Sequence, residues 1–511
     1  MFQEAELLRN TASHEVPNTD GFQFDKLFPL LPSFWKGDNK PDVIRRVREL
    51  GKKGGRMDAH DPLVTVSNPL DANLNCHAPD PDYPCNPDND NADMTVGFTF
   101  LGQFLDHDIT LDRQPLTTVT PFPNERSPFF DLDSVYGLGP KGSPHLYDPA
   151  QPAKLLIELA APHDLPRDAN SEAIIAEGRN DENVIISQLH LAFLHFHNHV
   201  VDHVKSGDPN LPNEDLFKRA KRTVLWHYQY IIVHQYLRFS LDSSVYEEVK
   251  NNGPTIFKVA PKPGMPREFQ VAAFRFGHTQ IRPGYKINSI FGAPIFDPKL
   301  DARDDKDPST PQEGDPNDLR GGRRAFRRFV EWNTFFDFGT KEIGIDANGQ
   351  PVVQKKVKKN KRIDPFISSP MLQLPVGPGL PDANDDLRSL AGRNLERHIQ
   401  HDIASGQDIA TEMGYLPLDL QHTIILEDLG FHKRTPLWWY ILKEALVQQK
   451  GERLGQVGSR IVAEVSFGLL LSDKNSYWAT SRNWKPELPR RDGSVGNDFT
   501  MTDLLTFARV G

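Results

Sequence analysis

The sequence predicts a mainly α-helical protein, and three observations carry that prediction. From Met94 onward, apolar residues recur at three- and four-residue spacing over 94–107, 184–206, 214–241, 320–336, 384–405 and 455–470, the period of helices that bury one face. Strand-like alternation is scarce and short. The 42 prolines and 36 glycines are a somewhat rich share, which predicts many short elements joined by structured loops.

With 511 residues the chain is long enough for two or three average domains and for a large buried core. Its 38% apolar and 25% charged residues are the balance of a water-soluble globular protein. A net charge of -10 argues against a nucleic-acid partner, because phosphates demand a basic face. The one basic run, Lys355-Lys356-Val357-Lys358-Lys359-Asn360-Lys361-Arg362, reads as a solvated loop. No apolar run approaches the roughly 20 residues needed to span a bilayer. "MFQEAELLRNTASHEV" lacks a basic n-region followed by an apolar core, so no signal peptide is read. A cytoplasmic location and export by another route both stay open, as does the oligomeric state. Cys76 and Cys85 suit a small disulfide and two free thiols equally well.

In chain order, residues 1–90 are polar and punctuated by proline, with one short helix expected around Asp42–Leu50, and read as an arm lying on the core. Residues 91–511 hold that core; within them Asp297–Asn317 is charged and reads as a surface excursion. No internal repeat or composition break divides the chain.

The first helix of the core ends in "GFTFLGQFLDHDIT" with Asp106, His107 and Asp108. Neighbouring helical residues differ by about 100°, so the two carboxylates point to nearly opposite sides and serve different ends. Twenty residues on, "RSPFFDLDSVYG" presents Ser127, the carbonyl of Phe129, Asp131 and Asp133 at every second residue. Calcium takes six to eight oxygens of such mixed origin, and Asp108 would add a third carboxylate; taken alone, the loop reads better as an Asx-turn with solvated aspartates. "EGRNDENVIISQLHLAFLHFHNHVVDHV" opens a long helix with Arg179 and Glu182 at its start. Glu182 has a plain capping explanation there. Histidines 190, 195, 197, 199 and 203 look like a metal site but fit polar positions of a half-buried helix better, since no acidic base lies between His195 and His199. Last come "FRFGHTQIRP" with His278 and "LAGRNLERHIQHD" with Asn394.

Together and in this order, these five segments resemble the animal-type haem peroxidases, whose superfamily also holds cyclooxygenases and α-dioxygenases. The matching core runs from about Met94 to Gly414, and the flanks read like bacterial members. The resemblance implies one large, mainly helical domain around a haem, in place of the several domains that length suggests. It implies that Asp106 faces a haem edge, His107 faces the iron, and Asp108 turns away into calcium with Ser127, Phe129, Asp131 and Asp133. It makes His278 the iron ligand, with its remaining N–H held by Asn394, and makes Arg275 and Arg397 partners of the propionates. Asp106 and Glu182 stand where family members esterify haem methyl groups, so a covalently held haem b derivative is expected.

The implied activity is reduction of hydrogen peroxide with oxidation of a small electron donor. His107 would be the proton shuttle, because one imidazole can serve as base and then as acid. Arg179 would supply a permanent positive charge for the leaving oxygen. Where the most strongly oxidising mammalian members carry a methionine bonded to a vinyl group, this chain has Asn183. Iodide, bromide, thiocyanate or phenols are therefore expected ahead of chloride. Two alternatives stand beside this reading. A fatty-acid dioxygenase of the same superfamily needs a tyrosine three residues before the proximal histidine, where Arg275 stands. A non-catalytic, calcium-ordered binding module would need none of His107, Arg179 and His278.

Overall fold

The computed structural model describes residues 22–61, 90–112, 123–159, 163–296, 316, 318–325, 327–345, 350–375 and 388–511. Its long helices are α1 (Lys40–Gly51), α2 (Gly97–Ile109), α3 (Val184–Gly207), α4 (Asn213–Ile231), α5 (Ser243–Asn252), α6 (Leu390–Gln400), α7 (Leu437–Gln449) and α8 (Gln456–Ser472). Strands are short and pair in twos. Phe24–Asp25 lies along Met265–Pro266, Asp90–Thr95 along Lys359–Lys361, Gly284–Lys286 along Gly292–Pro294, and Lys341–Ile345 along Pro351–Lys355. The fold is therefore mainly α with little strand. Among the described residues no helix is long and apolar enough to cross a membrane.

Local signals explain where the helices begin. α1 starts where Asn39 accepts from the Asp42 N–H, and its Val43, Val47 and Leu50 form the buried stripe. That stripe faces α6, and Arg48 forms an ion pair with Glu396 across the same seam. α3 is capped by Asn183, whose Oδ1 accepts from the amides of Ile185 and Ile186 at 3.1 and 3.0 Å, a contact worth about 1 kcal/mol. α4 runs on through a π-helical turn, Ile232–Leu237, into the short helix Arg238–Ser240.

α2 is buried on every side, with only Gly102 and Asp106 partly exposed. A helix in that position must pair each of its polar side chains. Its apolar flank joins α3 and α4 through aromatic contacts. Phe104 stacks on Phe193 with ring centroids 4.6 Å apart, and Tyr228 meets Phe193 edge-on at 5.7 Å. On the other flank of α2 lies a 3₁₀ run, Ala273–Gln280, which also packs on α7 and α8. Just before it, the buried Glu268 accepts from the amides of Leu27 and Phe28 at 3.0 and 3.2 Å and so fastens the N-terminal segment to the core.

Two expectations need correction. Among the described residues of 320–336 no α-helix forms; Trp332–Thr334 makes a 3₁₀ turn. Their backbone is used in a different contact: Val184 donates to Leu319 and Gly321 to Glu182, at 2.9 and 2.8 Å. Gly321 comes so close that a Cβ there would lie 1.4 Å from the Asp181 carbonyl oxygen. The Arg328 guanidinium then binds the carbonyls of Pro316, Asp318 and Arg320, supplying from a side chain what helix amides would otherwise supply. The basic run, in turn, is not simply a solvated loop. Asn360 and Lys361 are buried in the short strand, and Lys361 Nζ reaches the Phe366 carbonyl at 2.7 Å. Cys76, Cys85 and nearly all of Asp297–Asn317 lie outside the described residues.

Candidate functional site

At the end of α2 the three polar residues separate as helical geometry requires. Asp106 stands on the Thr99, Gly102, Gln103 side, where its Oδ1 accepts the Thr110 hydroxyl at 3.1 Å. Asp108 is fully buried on the other side. There Oδ1 accepts from Ser134 Oγ at 2.9 Å, and Oδ2 accepts from Tyr228 Oη at 3.0 Å and from the Leu132 amide at 3.2 Å. His107 lies between them with no exposed surface. Its Nδ1 is 2.8 Å from Asn180 Oδ1, while its Nε2 is buried with no hydrogen-bond partner among the described residues. Burial, and then the nearby Arg179 guanidinium, hold the imidazole well below its usual pKa, so it is neutral.

Arg179 comes from the 3₁₀ turn Gly178–Asp181, which precedes α3. Its Nε is 2.9 Å from Glu177 Oε1, and its Nη2 reaches Glu177 Oε2 as well as the carbonyls of His107 and Thr110, at 2.9, 3.1 and 2.7 Å. Glu177 also takes Arg126, and Arg126 in turn reaches Asp133 at 3.4 Å. Burial alone would raise the Glu177 pKa. The two guanidinium groups override it and hold the carboxyl well below the carboxylate range.

Asp108, Asp131 and Asp133 bring one carboxylate oxygen each within 4.8 Å of one another. Among the described residues they are the one group of three or more acidic, histidine or cysteine side chains so placed, and the histidines of α3 form no such group. Ser127 donates its hydroxyl to Asp131 at 2.9 Å and its amide to Asp133 at 3.1 Å, and Phe129 donates its amide to Ser127 Oγ at 3.3 Å. Leu132 adopts a left-handed conformation, φ 55°, to turn this loop into the helical turn Asp133–Tyr136. Burial pushes all three carboxyls up, and repulsion from Asp131 adds to it at Asp108 and at Asp133, which rises to about 7 with Arg126 opposing. A dication held among them would relieve that repulsion, so the donor set fits calcium.

The cleft beside α2 is partly open to solvent and spans about 820 Å³ when the open solvent at its mouth is counted. Gln103 and Asp106 line one wall; His278, Arg275, Arg393, Asn394 and Arg397 come from the 3₁₀ run and α6. The structure thus gathers Asp106, Arg275, His278, Asn394 and Arg397 around one cleft. His107, Arg179 and Glu182 are not among its lining residues; Glu182 is joined to it through Gln103, whose Nε2 donates to Glu182 at 3.2 Å. An imidazole with three arginines in one cleft, and on α2 a buried imidazole whose Nε2 has no partner among the described residues, suit a flat, carboxylate-bearing, metal-centred ring such as haem.

One contact differs in sense from expectation. Asn394 does meet His278, with Nδ2 2.7 Å from Nδ1, but it presents its nitrogen. Its Oδ1 accepts instead from Arg275 Nη1 at 2.5 Å. A guanidinium has only donors, so it claims the carbonyl end of the amide. Burial, and then Arg275, depress the His278 pKa well below its usual value. Arg397 is paired with Asp112 at 3.1 Å.

Several residues here had not been singled out from the sequence. Gln103 was legible, standing four before His107 on the same helical face. Glu177 and Asn180 flank Arg179 within the motif itself. Tyr236 gave no signal, because a π-helical turn carries it to the cleft and shifts the helical period.

Residues 113–298 match the family model described as animal haem peroxidase, a span that holds the acidic loop, Arg179 and His278 and omits α2 and α6. A dual oxidase of Drosophila melanogaster is 35% identical over 113 residues, 22% of this chain and 7% of that protein. Heme peroxidase 2 of Caenorhabditis elegans is 23% identical over 174 residues, 31% of this chain and 24% of its own length. The chain thus matches under a quarter of the length of these relatives. Peroxidase A from Dictyostelium discoideum shares the fold over 90% of this chain and 89% of its own, with a TM-score of 0.51 at 14% identity. The fatty acid alpha-dioxygenase of Oryza sativa does so over 77% and 70%, also at 0.51 and 14%. The segment 113–298 thus matches the animal haem peroxidase model, and the architecture as a whole is the fold these solved structures share.

Proposed function

We propose that the protein is a haem peroxidase that consumes hydrogen peroxide and oxidises a small donor such as iodide, bromide, thiocyanate or a phenol. The observation that carries this reading is His107: fully buried, neutral, with an Nε2 that has no hydrogen-bond partner among the described residues, on the same helix as the cleft-lining Gln103 and Asp106. Haem, when bound, supplies the iron at which the peroxide is activated and the oxidising equivalents passed to the donor.

The chain's own residues then have distinct tasks. His278 would ligate the iron, Arg275 and Arg397 would meet the propionates, and Asp106 and Glu182 would hold the ring through esters. A carboxylate offered to Arg275 competes with the Asn394 carbonyl for its N–H groups. With that oxygen released, the amide can turn and accept from His278 Nδ1–H. His107 Nε2 takes the first proton of the peroxide and returns one to the departing oxygen. Arg179 keeps the imidazole neutral and adds a fixed positive charge where negative charge builds. Calcium held by Asp108, Ser127, Phe129, Asp131 and Asp133 would fix the helix end that aims His107.

The test is a visible spectrum followed by stopped-flow mixing with hydrogen peroxide. A Soret band and a fast spectral change are expected, and His107→Ala should lose the fast change while keeping the colour. A colourless protein would instead favour a calcium-ordered binding module. A dioxygenase reading has one observation in its favour: Tyr236 brings a buried phenol to the cleft wall, although Arg275 occupies the position three before His278. Oxygen uptake on linoleate separates the two.

A further inference from the structure

His107 owes its usefulness to which of its two nitrogens carries the proton, and a neutral imidazole in isolation has little preference. Here a second-layer pair decides. Asn180 Oδ1 faces His107 Nδ1 at 2.8 Å, and Asn180 Nδ2 faces Nδ1 of a second buried imidazole, His190, at 3.0 Å. We propose that Asn180 and His190 are positioning residues that lock His107 in the tautomer with its proton on Nδ1, leaving the Nε2 lone pair to receive a proton from the bound substrate.

The argument is one of hydrogen-bond polarity. An amide oxygen only accepts, so His107 Nδ1 must donate; an amide nitrogen only donates, so His190 Nδ1 must accept. If the amide were reversed, both imidazoles would have to exchange tautomers. His107 would then present an N–H where a base is needed. His190 resists that exchange. It is fully buried, and burial lowers its pKa to about 4, so it stays neutral and offers a lone pair at Nδ1. Its Nε2, which then carries hydrogen, has no polar partner among the described residues. Its ring stands at 66° to Phe104, centroids 6.3 Å apart, and Phe104 is backed by Phe193. An electron-rich aromatic wall suits a ring edge bearing N–H better than one bearing a lone pair. The apolar side of His190 thereby orients the amide, and the amide sets the proton on His107. Arg179 is the residue immediately before Asn180, so one short turn delivers both the charge and the tautomer control.

This inference rests on the peroxidase reading above, and the experiment separates the two. Hydrogen cyanide binds ferric haem as the anion, so it must first give its proton to a base, whereas carbon monoxide binding to ferrous haem transfers none. In the haem-loaded protein, Asn180→Leu and His190→Leu are expected to slow cyanide association by about tenfold or more, with carbon monoxide association unchanged. Asn180→Asp, which still accepts from Nδ1–H, and His190→Gln, which can still accept from the Asn180 amide, should recover most of the loss. They also serve as the test if the leucine variants do not fold: recovery to near the parent rate supports the lock, and rates as slow as His107→Ala overturn it. If His107→Ala slows cyanide while Asn180→Leu does not, the tautomer lock is wrong and the role of His107 stands. If His107→Ala has no effect on cyanide, the peroxidase assignment of His107 fails first.

Discussion

Asp106 and Asp108, two positions apart on α2, end in different surroundings: Asp106 lies half-buried in the cleft wall, and Asp108 is fully buried beside Asp131 and Asp133. The residue between them is His107. Whatever fixes one carboxylate therefore constrains the rotation of the helix end that carries the imidazole.

Metal removal is the direct probe of that constraint. The purified protein is expected to hold about one calcium ion per chain, and a strong chelator should slow the reaction with peroxide under conditions where helical content, followed by circular dichroism, is unchanged. Asp131→Ala should mimic the chelator. Full peroxide reactivity in calcium-free protein would count against the coupling.

The buried triad of Arg126, Glu177 and Arg179 is expected to be costly to break. Glu177→Gln leaves two buried cations without their counter-charge and should destabilise by about 3–5 kcal/mol in chemical denaturation. The sign of the pH effect follows from the depressed folded pKa of Glu177. Its contribution is complete above the unfolded value of 4.5 and is lost as pH falls through the folded value. The parent should therefore lose stability faster than Glu177→Gln below that pH. Parallel acid profiles would show that folding does not depress the Glu177 pKa.

For the cofactor, acidified butanone is expected to leave haem on the parent polypeptide. Asp106→Ala and Glu182→Gln should each weaken retention, and the double variant should release all of it. The measurement is the haem absorbance in the organic layer. Free extraction from the parent would show that neither ester forms.

Gly102 offers a purely steric check on the cleft. A Cβ at this position would lie 2.5 Å from Tyr236 Oη, and overpacking of that kind typically costs about 1–3 kcal/mol. Tyr236→Phe removes the offending oxygen, so the double variant should recover much of the loss in thermal unfolding. Additive losses would place the phenol elsewhere.

Much of this was legible in the sequence because the site rests on local patterns. Asp106, Asp108 and His278 could be read from short motifs, and α3, α4 and α8 from their apolar period. The failures have physical causes. Residues 320–336 carry helical spacing, yet Gly321 donates to the Glu182 carbonyl and the Arg320 carbonyl is taken by Arg328. Lys361 looked solvated because its partner, the Phe366 carbonyl, is made available only by the chain's turn. The polarity of Asn394 depends on a competition with Arg275 that no spacing encodes.

Asn183 carries one more consequence. Its side chain is committed to the first amides of α3, and the strongly oxidising mammalian relatives have at this position a methionine joined to the porphyrin. A thioether cannot terminate a helix in that way. A lineage moving from one state to the other must therefore exchange a backbone clasp for a covalent tether at a single codon. Asn183→Met is expected to cost about 1 kcal/mol of stability before any gain in oxidising power can be selected.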